Sequence, residues 1–333
     1  MTTPTLTTHT LDAPGATITY DVHGALGTGT PLLIVGCPMG ADGFTTLARH
    51  FPDRPVITYD PRGVNRSVRT DGAGELTPDD HAADLARIVE TIGGGPVDVL
   101  ASSGGAVNAL AWVARRGEQV RVLVAHEPPL ATILPDGDAQ IATIQALRET
   151  YQRDGFGPGM ATFIQLVGYD GLMPDGYRTP PVDPAQFGLP TEDDGSRDDP
   201  LLAQNIGGLT GYRPDVDALR ASPTRIVLAR GAASGQTMAA RGADAMAALL
   251  GTEPVAFPGS HGGFMGDEYG QRGERRPSPH GCARSSTAPD EPLHAVRSAN
   301  LRCASSTART ASFCRSQAPA TDGSADFPGS SAS

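Results

Sequence analysis

The stretch VDVLASSGGAVNALAWVARR, residues 97–116, decides the fold. VDVLA is an almost unbroken apolar run, the signature of a strand buried on both faces, and AVNALAWVARR reads as a helix, over residues 107–115 by its pattern. Between them lies Ala101-Ser102-Ser103-Gly104-Gly105, a small-x-Ser-x-small turn from strand to helix. A sharp turn of this kind leaves no room for side chains two positions before and two after the central serine, which then projects from the end of the strand. Ser102 fails this test, because Leu100 would be its flank. Ser103 is therefore the candidate nucleophile. The helix N-terminus and the Gly104 N–H would favour negative charge developing beside it. The structural alternative is a small-residue turn that only packs a helix onto a sheet.

Similar apolar runs surround this unit. PLLIVG (31–36), PVITYD (55–60), VRVLVAHE (120–127) and TRIVLARG (224–231) read as buried strands, EPVAFPG (253–259) as a weaker one, and ATITYDV (16–22) alternates like a strand. Helical patterns separate them at residues 43–50, at 77–92 with Thr77 as N-cap, and at 239–250. Strands alternating with helices predict a doubly wound, mostly parallel sheet covered on both faces, with ligands bound outside the strand carboxyl ends. Residues 128–223 contain no comparable strand, carry a helical pattern over 139–153, and read as a helical cap inserted above the sheet. The Gly-Thr-Gly at 27–29 lacks the strand-to-helix setting of a dinucleotide fingerprint, so no nicotinamide cofactor is expected.

Composition narrows the function classes. All 26 basic residues are arginine, which excludes Schiff-base, pyridoxal-phosphate and phosphate-loop lysine chemistry. A net charge of −11 argues against a nucleic-acid surface, and no apolar run is long enough for a membrane span. The N-terminal residues lack the basic start and apolar block of a secretion signal, so the expected location is cytoplasmic. The four cysteines, Cys37, Cys282, Cys303 and Cys314, form no disulfide pattern.

The text changes character after Gly270. Residues 271–333 hold eight arginines against five acids, a net of +3, so the body carries −11 − 3 = −14. Aliphatic residues nearly vanish there, and such a segment cannot bury enough apolar area to offset its ordering entropy. The reading is a folded body over 1–270 followed by a disordered Arg/Ser/Ala-rich tail, whose text resembles GC-rich codons read in a shifted frame. His280, Cys282, His294, Cys303 and Cys314 have spacings that match no zinc pattern. No metal is expected.

Over roughly residues 10–270 the sequence resembles the α/β-hydrolase family, in its soluble serine esterase branch. The Ser103 turn carries the resemblance together with Asp60-Pro61-Arg62-Gly63 and Ser67, Gly36-Cys37-Pro38, and Gly259-Ser260-His261-Gly262-Gly263-Phe264. The resemblance implies His261 as general base and the Cys37 and Gly104 N–H groups as oxyanion donors, since Pro38 has no N–H to offer. The usual acid after TRIVLARG is missing, for Ala232-Ala233-Ser234-Gly235 offers none. Some members carry it one strand earlier, which here selects Glu127 just past VRVLVAH; the competing reading of Glu127 is a turn that starts the cap. Asp244 is the poorer candidate because it falls in a helical pattern, and His126 reads as structural. Met39 and Phe264 border the mapped loops and are candidate pocket residues, whereas Phe44, Trp112 and Met173 read as core.

The implied activity is cleavage of a small, uncharged ester, thioester or lactone through an acyl-enzyme, with no cofactor and a small-molecule substrate as partner. A non-catalytic, degenerate hydrolase fold is the rival. A dehalogenase or epoxide hydrolase would need an aspartate where Ser103 stands.

Overall fold

The computed structural model of this chain describes residues 5–72, 74–266 and Glu268. The Arg/Ser/Ala-rich segment 271–333, with its cysteines and histidines, lies outside the described residues. Among the described residues nine strands form one sheet: β1 (Leu6–Ala13), β2 (Ala16–His23), β3 (Leu32–Val35), β4 (Val56–Tyr59), β5 (Val68–Arg69), β6 (Val97–Ser102), β7 (Val120–His126), β8 (Arg225–Gly231) and β9 (Val255–Phe257). Their order is β1-β2-β4-β3-β6-β7-β8-β9, with β5 paired to β2. From β4 through β3 to β9 all pairings are parallel, and β1, β2 and β5 join antiparallel at one side.

The central strands are apolar throughout because both of their faces are covered. Their period of two divides the side chains between two cores. Leu33, Val35, Val99, Ala101, Leu123 and Ala125 point into one, where they meet α2 (Pro78–Thr91), α3 (Gly104–Arg116) and α8 (Met238–Leu250). Leu32, Ile34, Leu100, Val122 and Val124 point into the other, against Phe44, Leu47, Phe51 and Phe264. Helix α2 starts where the sequence says it should, in a capping box in which Thr77 Oγ1 accepts from the Asp80 N–H and Asp80 Oδ2 accepts from the Thr77 N–H.

Some elements differ from the sequence reading. The threonine-rich start forms β1, a largely exposed strand whose pattern carries no apolar signal but whose backbone pairs with β2 along its whole length. Helix α3 begins at Gly104, three residues before its helical pattern, because two glycines of low helix propensity hide the start. The helix expected at 43–50 shrinks to a 3₁₀ turn (Ala41–Phe44) and the single turn α1 (Thr45–Ala48).

Between β7 and β8 the chain is helix and loop, with α4 (Gly137–Asp154), α5 (Phe156–Val167), a π-helical turn (Pro200–Asn205), α6 (Ile206–Thr210) and α7 (Val216–Ala221). Helices α4 and α5, the π-helical turn and the start of α6 share an apolar cluster that includes Leu147, Tyr151, Leu166, Leu202 and Ile206. No helix among the described residues is long and apolar enough to cross a membrane.

The Asp60-Pro61-Arg62-Gly63 turn after β4 is held from three sides. Asp60 Oδ1 accepts the Ala41 N–H at 2.9 Å, and Ser67 Oγ donates to the Asp60 carbonyl at 2.7 Å. Arg62 makes a bidentate pair with Asp84 of α2 at 2.7 and 2.8 Å, and both side chains are buried. Removing one partner of such a pair strands the other charge in the interior. Asp84→Ala should therefore destabilise the fold by about 3–5 kcal/mol, read as a lower urea midpoint at unchanged slope. A midpoint within experimental error of wild type would refute the assignment of this pair as a structural anchor.

Candidate active site

The register of the parallel strands assembles the site. Ser102 lies opposite His126 in the β6–β7 pairing, and His126 lies opposite Ala229 in the β7–β8 pairing. Ser103 and Glu127, each one residue further on, therefore leave neighbouring strands at the same level. The Ser103 N–H donates to the His126 carbonyl and the Glu127 N–H to the Ala229 carbonyl, both at 2.9 Å, so the ladder carries each residue's backbone past the strand end.

Both residues hold left-handed backbone angles. Ser103 has φ 56° and ψ −130°, a combination that costs a non-glycine residue about 1–3 kcal/mol and persists only where its surroundings impose it. The imposing contacts are visible. A methyl group at Gly105 would stand 2.4 Å from the Val35 carbonyl oxygen, and one at Gly104 would stand 2.6 Å from the Cys37 carbonyl oxygen. The N-terminus of α3 thus rests directly on β3 and on the loop after it, and Cys37 and Gly104 are backbone neighbours. Ser102, the rejected alternative, is buried with its hydroxyl 3.1 Å from His126 Nδ1. Ser103 is half-buried.

Glu127 has φ 48° and a completely buried side chain. Its Oε2 lies 2.6 Å from His261 Nδ1, and its Oε1 accepts the Gly231 N–H at 2.7 Å. Burial acts to raise the Glu127 carboxyl, but the His261 hydrogen bond and the neighbouring histidine charges outweigh it and bring the group down to about 2. His261 is 45% exposed and sits in the turn after β9, which the Ala232 N–H to Phe257 carbonyl and Ala233 N–H to Gly259 carbonyl bonds tie to the loop after β8. That loop has no acid to offer; it supplies backbone donors instead.

His126 is fully buried between this pair and the second core. Its ring stacks on Phe257 and meets the His261 ring at a centroid distance of 5.9 Å, and burial lowers its pKa to about 4. The structural reading of His126 stands. Asp244 lies in α8, is paired with Arg230, and makes no hydrogen bond to His261. Phe264 packs against Phe44 and the edge of His126, Met39 borders the same cluster, and Phe44, Trp112 and Met173 are core.

His126, Glu127 and His261 offer nitrogen and oxygen atoms within 4.8 Å of one another. Ligands of a tetrahedral zinc, at about 2.0–2.2 Å from the ion, stand no more than ~3.6 Å apart. Both Glu127 oxygens are already engaged, so hydrogen bonds account for this cluster. What the sequence did not single out is the Gly231 N–H that fixes Glu127 and the Ser102–His126 contact; a glycine at the end of a strand was the one available signal, for the first of these.

Comparison with known proteins agrees with this architecture. Residues 30–167 match the α/β hydrolase fold model. The uncharacterized hydrolase YraK of Bacillus subtilis is 32% identical over 266 residues, 78% of this chain and 91% of that protein. Among solved structures, a thermophilic esterase from Thermogutta terrifontis superposes with a TM-score of 0.53 at 20% identity, covering 75% of this chain and 88% of its own. A carboxylesterase structure from Nitrososphaera gargenis gives 0.52 at 18% identity, with 76% and 90% covered. With a strand-to-helix serine turn, a buried glutamate joined to a loop histidine and a relative of this length and identity, the chain belongs to the α/β-hydrolase fold family.

Proposed function

We propose that this chain is a serine hydrolase that cleaves small, uncharged carboxylic esters, thioesters or lactones. The observation that carries the reading is the 2.6 Å contact between Glu127 Oε2 and His261 Nδ1, formed beside a serine held at positive φ on the adjacent strand end. A carboxylate on Nδ1 fixes the tautomer in which Nε2 is free to accept a proton, and it stabilises the imidazolium that results. The esterase structures among the neighbours support an ester-like bond as the target.

In this reading Ser103 Oγ attacks the substrate carbonyl carbon while its proton passes to His261 Nε2. The carbonyl oxygen becomes an oxyanion, received by the backbone N–H groups of Cys37 and Gly104. Collapse expels the alkoxide or thiolate, which takes the proton from His261. Water, deprotonated by the same imidazole, then attacks the acyl carbon, and collapse breaks the bond to Ser103 Oγ, which takes the proton back from His261 as the acid leaves. Glu127 remains ionised throughout. Each role rests on this chain's own residues, and the small partner is the substrate itself.

Labelling with a fluorophosphonate, mapped by peptide mass, tests nucleophile and base together. Modification should fall on Ser103 and be lost in both Ser103→Ala and His261→Ala; a folded protein that is not labelled would overturn the proposal in favour of a degenerate hydrolase. Exchange of the carboxylate for an amide, Glu127→Gln, should lower kcat by about 10³–10⁴, because the wrong tautomer of His261 is then held in place.

The acid side of the pH profile gives a further check. With Glu127 down at about 2 and His126 at about 4, neither changes charge between pH 5 and 9. Neither group should therefore add a proton to the kcat/KM profile between pH 5 and 9, and a limb there steeper than one proton would show that His126 or Glu127 titrates in that range.

A further inference from the structure

Beneath the loop that carries Cys37 lies a buried polar cluster, and the insertion between β7 and β8 completes it. Asn205, the last residue of the π-helical turn, is 1% exposed. Its Nδ2 donates to the Pro200 carbonyl at 2.7 Å, which fixes the orientation of the amide and turns Oδ1 toward the body of the domain. There Oδ1 stands 2.7 Å from His81 Nε2 of α2 and receives the Cys37 S–H at 3.5 Å. Burial lowers the His81 pKa and pushes the Cys37 thiol up to about 12, so one ring is neutral and one sulfur keeps its proton. A neutral His81 facing a carbonyl oxygen must carry its hydrogen on Nε2. One amide oxygen thus accepts both donors, and both side chains are buried.

The same segment reaches the other proposed oxyanion donor. Leu209 of α6 lies over Gly104, where a methyl group would stand 2.5 Å from Leu209 Cδ1. Gln204, beside Asn205, fastens the segment to the body through its carbonyl, which accepts the Leu76 N–H at 2.7 Å, and through Oε1, which accepts from Arg69 Nη1 at 2.6 Å. A π-helical turn is an uncommon geometry that recurs where a side chain must be aimed for a purpose. Here it aims Asn205 inward at the Cys37 side chain, four residues before the leucine that covers Gly104.

Resting on the assignment of Ser103 and its oxyanion donors above, we propose that Asn205 is a positioning residue: the strut 200–210 holds the Cys37 loop so that the Cys37 N–H stays aligned with that of Gly104. An oxyanion donor works only within hydrogen-bond distance of the place where charge develops, so a loop free to shift by part of an ångström weakens the transition state and leaves ground-state binding alone. The insertion would then set the rate of acyl transfer as well as cover the site.

Turnover of p-nitrophenyl acetate, and inhibition by an alkylboronic acid that forms a tetrahedral serine adduct, test this in the full chain. Asn205→Ala should lower kcat roughly ten- to a hundredfold, short of the 10²–10³ that follows outright removal of a donor, with KM within about twofold. The boronate should weaken by the same factor as kcat/KM. Cys37→Ala should behave like Asn205→Ala, and Cys37→Ser, which keeps a donor to Asn205 Oδ1, should lose less activity than Cys37→Ala. The double variant Asn205→Ala with Cys37→Ala should be no worse than the poorer single one, since both break one contact. Should Asn205→Ala not fold by circular dichroism, the contrast between Cys37→Ala and Cys37→Ser decides. Wild-type labelling by fluorophosphonate with unchanged kcat and boronate affinity in the variants, or a change confined to KM, would overturn this proposal alone. A folded wild type that is neither labelled nor active would overturn it together with the serine hydrolase reading.

Discussion

At position 105 there is no room for one methyl group, since a Cβ there would lie 2.4 Å from the Val35 carbonyl oxygen. Helix α3 can approach β3 this closely only because Gly104 and Gly105 open it, and the approach has consequences in several directions. It forces the strand-to-helix turn into the few residues that leave Ser103 at positive φ. It brings the N-terminal turn of α3, with its unpaired N–H groups, to the end of the sheet where Cys37 also arrives. It lets Val107, Leu110 and Val113 sink completely into the core that β3, β6 and β7 share. The apolar burial of those side chains supplies, at about 25 cal/mol per Å², free energy well above the strain of about 1–3 kcal/mol held at Ser103.

The sheet was legible because its signal is redundant. Each buried strand is an apolar run, each run is followed by a helical pattern, and the alternation admits one class of architecture. The elements that escaped notice lack that redundancy. Strand β1 is exposed on nearly every residue, so nothing in its side chains marks it, and only the backbone ladder to β2 defines it. The first turn of α3 was hidden by the two glycines that make the turn possible, a case in which local propensity and tertiary need disagree. Of the proposed site, Ser103 was marked by its small-residue turn, and His261 and Glu127 by the resemblance to the α/β-hydrolase family, whereas nothing marked Asn205. Its importance depends on a π-helical turn and on contacts with His81 and Cys37, more than one hundred residues away in sequence. No periodicity carries that information.

The electrostatics of the cluster follow from which groups can find a partner. Glu127 and His126 are adjacent in sequence and equally deprived of water, yet burial is answered differently at each. Glu127 meets a ring nitrogen and a backbone N–H, so its charge is retained; His126 meets a serine hydroxyl and an aromatic face, so it stays neutral. Two histidines with rings 5.9 Å apart would repel if both were protonated.

The choice of glutamate over aspartate also has a geometric cause. The acid stands at the end of β7, and the histidine follows β9, so β8 lies between them. The side chain must reach past the end of β8, which the extra methylene of glutamate assists, and that end is Gly231. A Cβ at 231 would meet Ser234 Oγ at 2.5 Å, the Gly259 carbonyl oxygen at 2.8 Å and the Ser260 carbonyl carbon at 2.8 Å. The glycine therefore keeps the His261 loop close to β8 while its N–H takes one carboxylate oxygen and leaves the other for the imidazole. An acid placed after β8 would need no such passage. With Glu127 at the end of β7, the bare backbone of Gly231 becomes part of the same arrangement, and the Ala232–Gly235 loop pairs its backbone with the turn that presents His261.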